Sequence, residues 1–221
     1  MDIVLINNYQ MKINMYIERV DYMKVLISYF EPFNQEKINS SKELMENLQD
    51  IEGIEVDMIQ LPVVRHECMT LLLNEMRKKP YDYVISLGQA SGRNKISLER
   101  VAINVDDFRI KDNAGNQVRD QNIFDNGQNA YFSTLPIRQI MNKVDNQYVE
   151  ISNTAGTFIC NHLFYGILYF SDLTKTNTKY GFIHIPALPS QVKDNEACME
   201  LETSTNVFKQ ILEVLKDEVC H

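Results

Sequence analysis

Short apolar runs recur along this chain at intervals that leave room for one helix between each pair. "KVLISYF" (residues 24–30), "IEVDMIQLPV" (54–63), "YDYVISLG" (81–88), "YVEISN" (148–153) and "YGFIHIP" (180–186) each have strand length and strand composition. Between them lie segments of helical period: "KELMENLQD" with Ser40 and Ser41 as N-cap candidates, residues 66–79 with Met69, Leu72, Leu73 and Met76 on one stripe, "LPIRQIMNKV", "GTFICNHLFYGILYF", and an amphipathic stretch from Thr203 to Val219. Strand and helix in alternation predict an α/β fold, a single three-layer domain with a mixed central sheet between helices. Residues 1–22 lack a clean period and read as an N-terminal extension. Met23 is a candidate start, and 23–221 is the domain.

Residues 88–133 break the rhythm. They are rich in Asn, Asp, Gly and Arg and hold only short strands and turns, and an irregular stretch of that length inside a compact domain is usually functional. The net charge of −8, without a Lys/Arg cluster, argues against nucleic acid as a partner. No apolar run approaches the roughly 20 residues that cross a bilayer, and no secretory signal pattern opens the chain, so the expectation is a cytoplasmic protein without a membrane partner. Cys68, Cys160, Cys198 and Cys220 are widely spaced, with neither a CxxC pair nor zinc spacing to histidine. Free thiols and no metal follow.

A lone cysteine is ordinarily a small buried hydrophobe. Cys160 differs in its setting, because "TAG" connects a strand to the helix that it opens. Unsatisfied N–H groups and the helix dipole there are expected to lower the thiol pKa. His184 ends the strand "YGFIHIP", and carboxyl ends of strands line the ligand crevice of open α/β sheets, so the two side chains can meet. A carboxylate would fix the imidazole tautomer; Glu99, Asp106 and Asp107 are all candidates. His66, His162 and His221 are weaker choices for the base, His162 because it follows Cys160 on the helix and points elsewhere.

The segments "SYFEPFNQEKINSS", "LGQASGR", "ERVAINVDDFRI", "YFSTLPI", "SNTAGTFICNH" and "GFIHIPALPSQ" together resemble the successive signatures of pyroglutamyl peptidase type I, a family of cytosolic cysteine exopeptidases also called pyrrolidone-carboxylate peptidases. The resemblance runs from Met23 to about Gln191. It implies Cys160 as nucleophile, His184 as general base, Glu99 as third member and Arg109 as an aid to the oxyanion. It also implies that Phe30 and Phe33 flank the lactam ring, that Gln89 meets its polar edge, and that Phe158 and Ile159 complete the wall. Pyroglutamyl peptides are the implied substrates, no cofactor is implied, and homo-oligomers, commonly tetramers, are expected. Departures from the family pattern are Ser28 and Tyr29 before Phe30, Asn34 and Gln35 where glycines are usual, Ser91 in place of glycine, and Ser40 where "NPS" has proline. These leave the shape of the pocket open. They also keep alternatives alive: a non-catalytic homologue that binds a terminal amide, or one that hydrolyses a different N-terminal group.

Overall fold

The computed structural model describes residues 22–193 and 195–219. The proposed extension, apart from Tyr22, lies outside the described residues. The strands are β1 (Met23–Phe30), β2 (Ile54–Leu61), β3 (Tyr83–Ala90), β4 (Ile96–Glu99), β5 (Val101–Ile103), β6 (Ala130–Phe132), β7 (Val149–Ser152) and β8 (Lys179–Pro186). The helices are α1 (Ser40–Asn47), α2 (Glu67–Met76), α3 (Ile137–Lys143), α4 (Ile159–Thr174) and α5 (Leu201–Val219), with a single 3-10 turn at Pro189–Gln191.

The main sheet has the order β2-β1-β3-β8-β4-β7, and β5 and β6 form a separate antiparallel ribbon. All neighbours in the main sheet are parallel except β4 and β8, so the sheet is mixed. Alternation of side chains divides the core. Val25, Ile27, Ile85, Leu87, Ile183 and Ile185 face α1, α3 and α5. Leu26, Phe30, Val84 and Phe182 face α2 and α4. The central strands β1, β3 and β8 are buried on both sides, which is why they read as nearly continuous apolar runs.

Two local expectations change. The N-cap of α1 is Asn39, whose side chain accepts the Ser41 N–H at 3.0 Å, rather than Ser40 or Ser41. Tyr29 packs on the face opposite Phe30, so it does not line the space beside Cys160. Asn34 and Gln35 take φ of 52° and 66° in a turn closed by Glu36 N–H to Phe33 O at 3.0 Å. Both central positions are left-handed, a region that glycine adopts freely and that Asn34 and Gln35 occupy at a cost in backbone strain. Among the described residues no helix is long and apolar enough to cross a membrane.

Candidate active site

The carboxyl ends of β1, β3 and β8 meet the start of α4, and this is where the sheet exposes chemistry. Gly88 on β3 is in register with His184 on β8, so a Cβ at Gly88 would share a face with the imidazole. That absent Cβ would lie 3.0 Å from Cys160 Sγ and 2.9 Å from the Phe182 ring. Glycine at 88 therefore leaves the room into which the thiol projects, next to His184. The Phe182 and His184 rings, two residues apart on one face, are 4.8 Å between centroids.

Glu99 reaches the same face through the one antiparallel junction. Ser97 pairs with His184, and Glu99, two residues on, points the same way. Its Oε1 accepts His184 Nδ1 at 2.7 Å and Arg93 Nη1 at 2.6 Å, and its carboxyl is fully buried. Oε2 is buried and has no hydrogen-bond partner among the described residues. Arg93 also donates from Nη2 to Thr154 O at 3.1 Å, tying the turn after β3 to the connection that leads into α4. Sequence reasoning missed Arg93. It lies inside the segment "LGQASGR", but nothing in its spacing announces that it folds back onto Glu99.

Electrostatics define the resting state of the trio. Burial works to raise Glu99, yet hydrogen bonding and charge from His184, the nearby Ser152 hydroxyl and the bond from Arg93 hold it below the usual range. Burial depresses His184, Glu99 opposes this, and Arg93 adds to the depression. The imidazole is thus neutral near pH 7. Because a carboxylate can only accept, the proton sits on Nδ1 and the lone pair on Nε2. Burial and the Glu99 charge push the Cys160 thiol up to about 12, with Arg93 partly compensating. This direction is the opposite of the lowering expected from the helix start. A helix terminus is worth roughly 0.3–1 kcal/mol, less than one pH unit, and burial outweighs it. The resting pair is a thiol beside a neutral base.

Around the thiol, Phe30, Phe33, Asn39, Val63, Gln89, Phe158 and Ile159 line a small slot with about 250 Å³ of empty space including its open mouth. The Phe33 and Phe158 rings are 6.3 Å apart, and Phe158 packs edge-on against Phe108 at 4.8 Å. Phe30, Phe33, Gln89, Phe158 and Ile159, the five residues expected around the ring, are together. Arg109 is exposed, and its side chain makes no hydrogen bond or ion pair among the described residues. Ser91 is exposed in the turn after β3. A roomier groove lined by Leu73, Met76, Tyr81, Phe170 and Thr174 lies at the far end of α2 and α4. Phe170 is ten residues beyond Cys160 on the same helix, about 15 Å away, so that groove is remote from the thiol.

Neither aspartate candidate meets His184. Asp107 pairs with Arg119 at 3.3 Å, and its backbone N–H and C=O bond Thr157. Asp106 is fully buried against His162, whose Nδ1 lies 2.9 and 3.1 Å from its two oxygens, and it also accepts Arg65 Nε at 2.8 Å. Asn161 grips Ile103 N–H, Ile103 O and Val105 O at 2.9–3.0 Å. The triplet "CNH" thus sends one side chain to the sheet and two into the polar stretch before α3.

The family model described as pyroglutamyl peptidase matches residues 23–218. A pyrrolidone-carboxylate peptidase of Thermosipho melanesiensis is 46% identical over 202 residues, 89% of this chain and 100% of that protein. One from Fusobacterium nucleatum is 45% identical, over 85% of this chain and 89% of its own. Among solved structures, pyroglutamyl peptidase I of Bacillus amyloliquefaciens superposes with a TM-score of 0.83 at 35% identity, covering 88% of this chain and 97% of that one. The pyrrolidone carboxyl peptidase of Pyrococcus furiosus gives the same TM-score at 36% identity, over 89% and 99%.

Proposed function

The chain belongs to the pyroglutamyl peptidase family, and from that premise we propose that it is a cysteine exopeptidase releasing N-terminal pyroglutamate (5-oxoproline) from peptides, with Cys160 as nucleophile, His184 as base and Glu99 as the group that orients His184. The observation carrying the reading is that Cys160 Sγ projects into the space over Gly88, whose register partner on the next strand is His184, beside an aromatic slot.

In the first step Sγ attacks the pyroglutamyl carbonyl as its proton passes to His184 Nε2. Proton transfer and attack go together because the resting thiol is neutral. The Glu99 carboxylate stabilises the imidazolium so formed. The oxyanion is met by the Cys160 backbone N–H, one of the groups at the start of α4 without an intrahelical acceptor, and a part for Arg109 rests on the family resemblance alone. The imidazolium then protonates the departing amine, leaving a thioester. His184 next takes a proton from water, which attacks the thioester and frees 5-oxoproline and the thiol.

Phe30, Phe33, Phe158 and Ile159 suit a small neutral ring, and Gln89 supplies a polar edge for the ring amide. A charged glutamyl group finds no counter-ion there, and proline lacks the ring carbonyl. A reducing cytoplasmic setting is supported by the free thiols of Cys68, Cys160 and Cys198. Assembly into homo-oligomers is carried by the family resemblance alone.

The test is hydrolysis of chromogenic pyroglutamyl, prolyl and glutamyl amides. Only the first should be cleaved efficiently, with the other two at least about a hundredfold lower in kcat/KM. Comparable values for prolyl and pyroglutamyl amides would overturn the reading.

A further inference from the structure

Gln89 leaves the end of β3 and is held by groups outside the catalytic trio. Its Oε1 accepts the backbone N–H of Ser40, the first residue of α1, at 2.8 Å, and Gln191 Nε2 at 2.9 Å. Gln191 in turn accepts the Leu188 N–H through its own Oε1 at 3.0 Å and donates from Nε2 to Ile38 O at 3.3 Å.

These partners remove the usual ambiguity of a carboxamide. A backbone N–H can only donate, so the Gln89 atom facing Ser40 must be oxygen, and the Gln191 atom facing Leu188 must be oxygen as well. The amide nitrogen of Gln191 is then left to face Gln89, where it finds an acceptor. Each orientation enforces the other. With both bonds on Oε1, the NH2 of Gln89 has no acceptor among the described residues, and Gln89 lines the slot beside Cys160.

We infer that the Ser40 backbone N–H and the Gln191 side chain form an orientation lock on Gln89, a specificity-determining pair that presents the Gln89 amide NH2 as a donor to the ring carbonyl of the substrate. The inference rests on the lactam reading of the slot. Turned the other way, the carboxamide would offer an acceptor to an acceptor, and the preference for pyroglutamyl over prolyl would fall.

Ser40 makes half of the lock through its backbone, and this is the position where the family motif has proline. A proline there supplies no N–H. It is nonetheless well suited to the first position of a helix, where the missing N–H is not used by the helix itself. Ser40→Pro is therefore a backbone-donor deletion that α1 tolerates, and Ser40→Ala, which keeps the N–H and loses only Oγ, is its reference. Gln191→Glu keeps an acceptor for the Leu188 N–H but sets a carboxylate against Gln89 Oε1.

The readout is the ratio of kcat/KM on pyroglutamyl and prolyl amides, which does not depend on the folded fraction because both substrates meet the same sample. Relative to Ser40→Ala, the Ser40→Pro ratio should fall about three- to tenfold, the value of one net hydrogen bond. Gln191→Glu should lower the ratio by about tenfold or more, and the double variant should approach Gln89→Leu. If Gln89→Leu collapses the ratio while Ser40→Pro matches Ser40→Ala and Gln191→Glu matches the unsubstituted protein, the lock is refuted and the lactam reading stands. If Gln89→Leu keeps the original ratio, Gln89 does not read the ring and the inference falls with its premise.

Discussion

His162 and His184 are both buried, and both hold a carboxylate through Nδ1, but the second ring nitrogen of each has a different fate. His162 Nε2 accepts the His66 backbone N–H at 3.2 Å, and Asp106 spends its oxygens on His162 and Arg65. Both ring nitrogens of His162 and both oxygens of Asp106 have partners. His184 Nε2 has no bond among the described residues, Glu99 takes two donors on one oxygen, and its other oxygen has none. Buried polar groups are normally satisfied, and departures gather where a reaction needs a vacant valence. The saturated pair reads as structure and the unsaturated pair as chemistry.

The saturated pair even holds strain. His66 has φ 63° and ψ −37°, with Glu67 N–H bonded to Arg65 O at 2.8 Å across it. That is a γ-turn of the strained hand, costing roughly 1–3 kcal/mol, and the bond from its N–H to His162 helps to retain it. Asp106 exchanges both backbone bonds with Gln121, so the cluster fastens the polar stretch to α4.

Removing groups from each region should separate turnover from stability. Cys160→Ala is expected to lower kcat by about 10⁴ or more with little change in Tm, measured by amide hydrolysis and thermal melting. His162→Ala is expected to do the reverse. It leaves the buried Asp106 with Arg65 as its one charged partner and the His66 N–H without its acceptor, which together cost about 2–5 kcal/mol and lower Tm by roughly 4–20 °C in a domain of this size, while kcat per folded molecule stays within about threefold. A His162 variant with normal Tm and lost turnover would break the distinction.

Finer effects come from charge. Since burial raises the Cys160 thiol, iodoacetamide labelling of Cys160, followed by mass spectrometry, should keep accelerating as pH rises through the alkaline range; a plateau reached below pH 7 would reveal a preformed thiolate. The pH profile of kcat/KM should have its acid limb below the ordinary histidine value of 6.5, because protonating His184 removes the base and its pKa is depressed. Arg93→Met removes a cation that lowers both His184 and Cys160, so that limb should move to higher pH. A shift to lower pH would show that Arg93 does not act through its charge.

The alternation of apolar runs made the layered fold legible, since strands buried on both faces leave a continuous signal. The stretch from Gly88 to Phe132 was opaque because its form depends on side chains distant in sequence, such as Asn161 on Ile103 and His162 on Asp106. Asn104 adds to this by accepting Ile123 and Phe124 N–H groups. Cys160 and His184 could be proposed from their places at element ends. The choice among Glu99, Asp106 and Asp107 could not be made from those places, because it depends on the antiparallel register that sets Ser97 opposite His184. The sign of the Cys160 shift was also hidden, since the helix start is visible in sequence and the burial of the thiol is not.

Parallel measurement of kcat and Tm for Glu99→Gln and Asp106→Asn, two substitutions that each neutralise one histidine-bound carboxylate at nearly constant shape, tests the central claim most directly. Glu99→Gln should lose about a thousandfold in kcat with Tm changed by only a few degrees, because an amide can orient His184 without stabilising its cation. Asp106→Asn should lose several degrees in Tm with kcat per folded molecule within about threefold. Full turnover in Glu99→Gln, or a turnover loss confined to Asp106→Asn, would contradict the assignment of chemistry to the His184 pair.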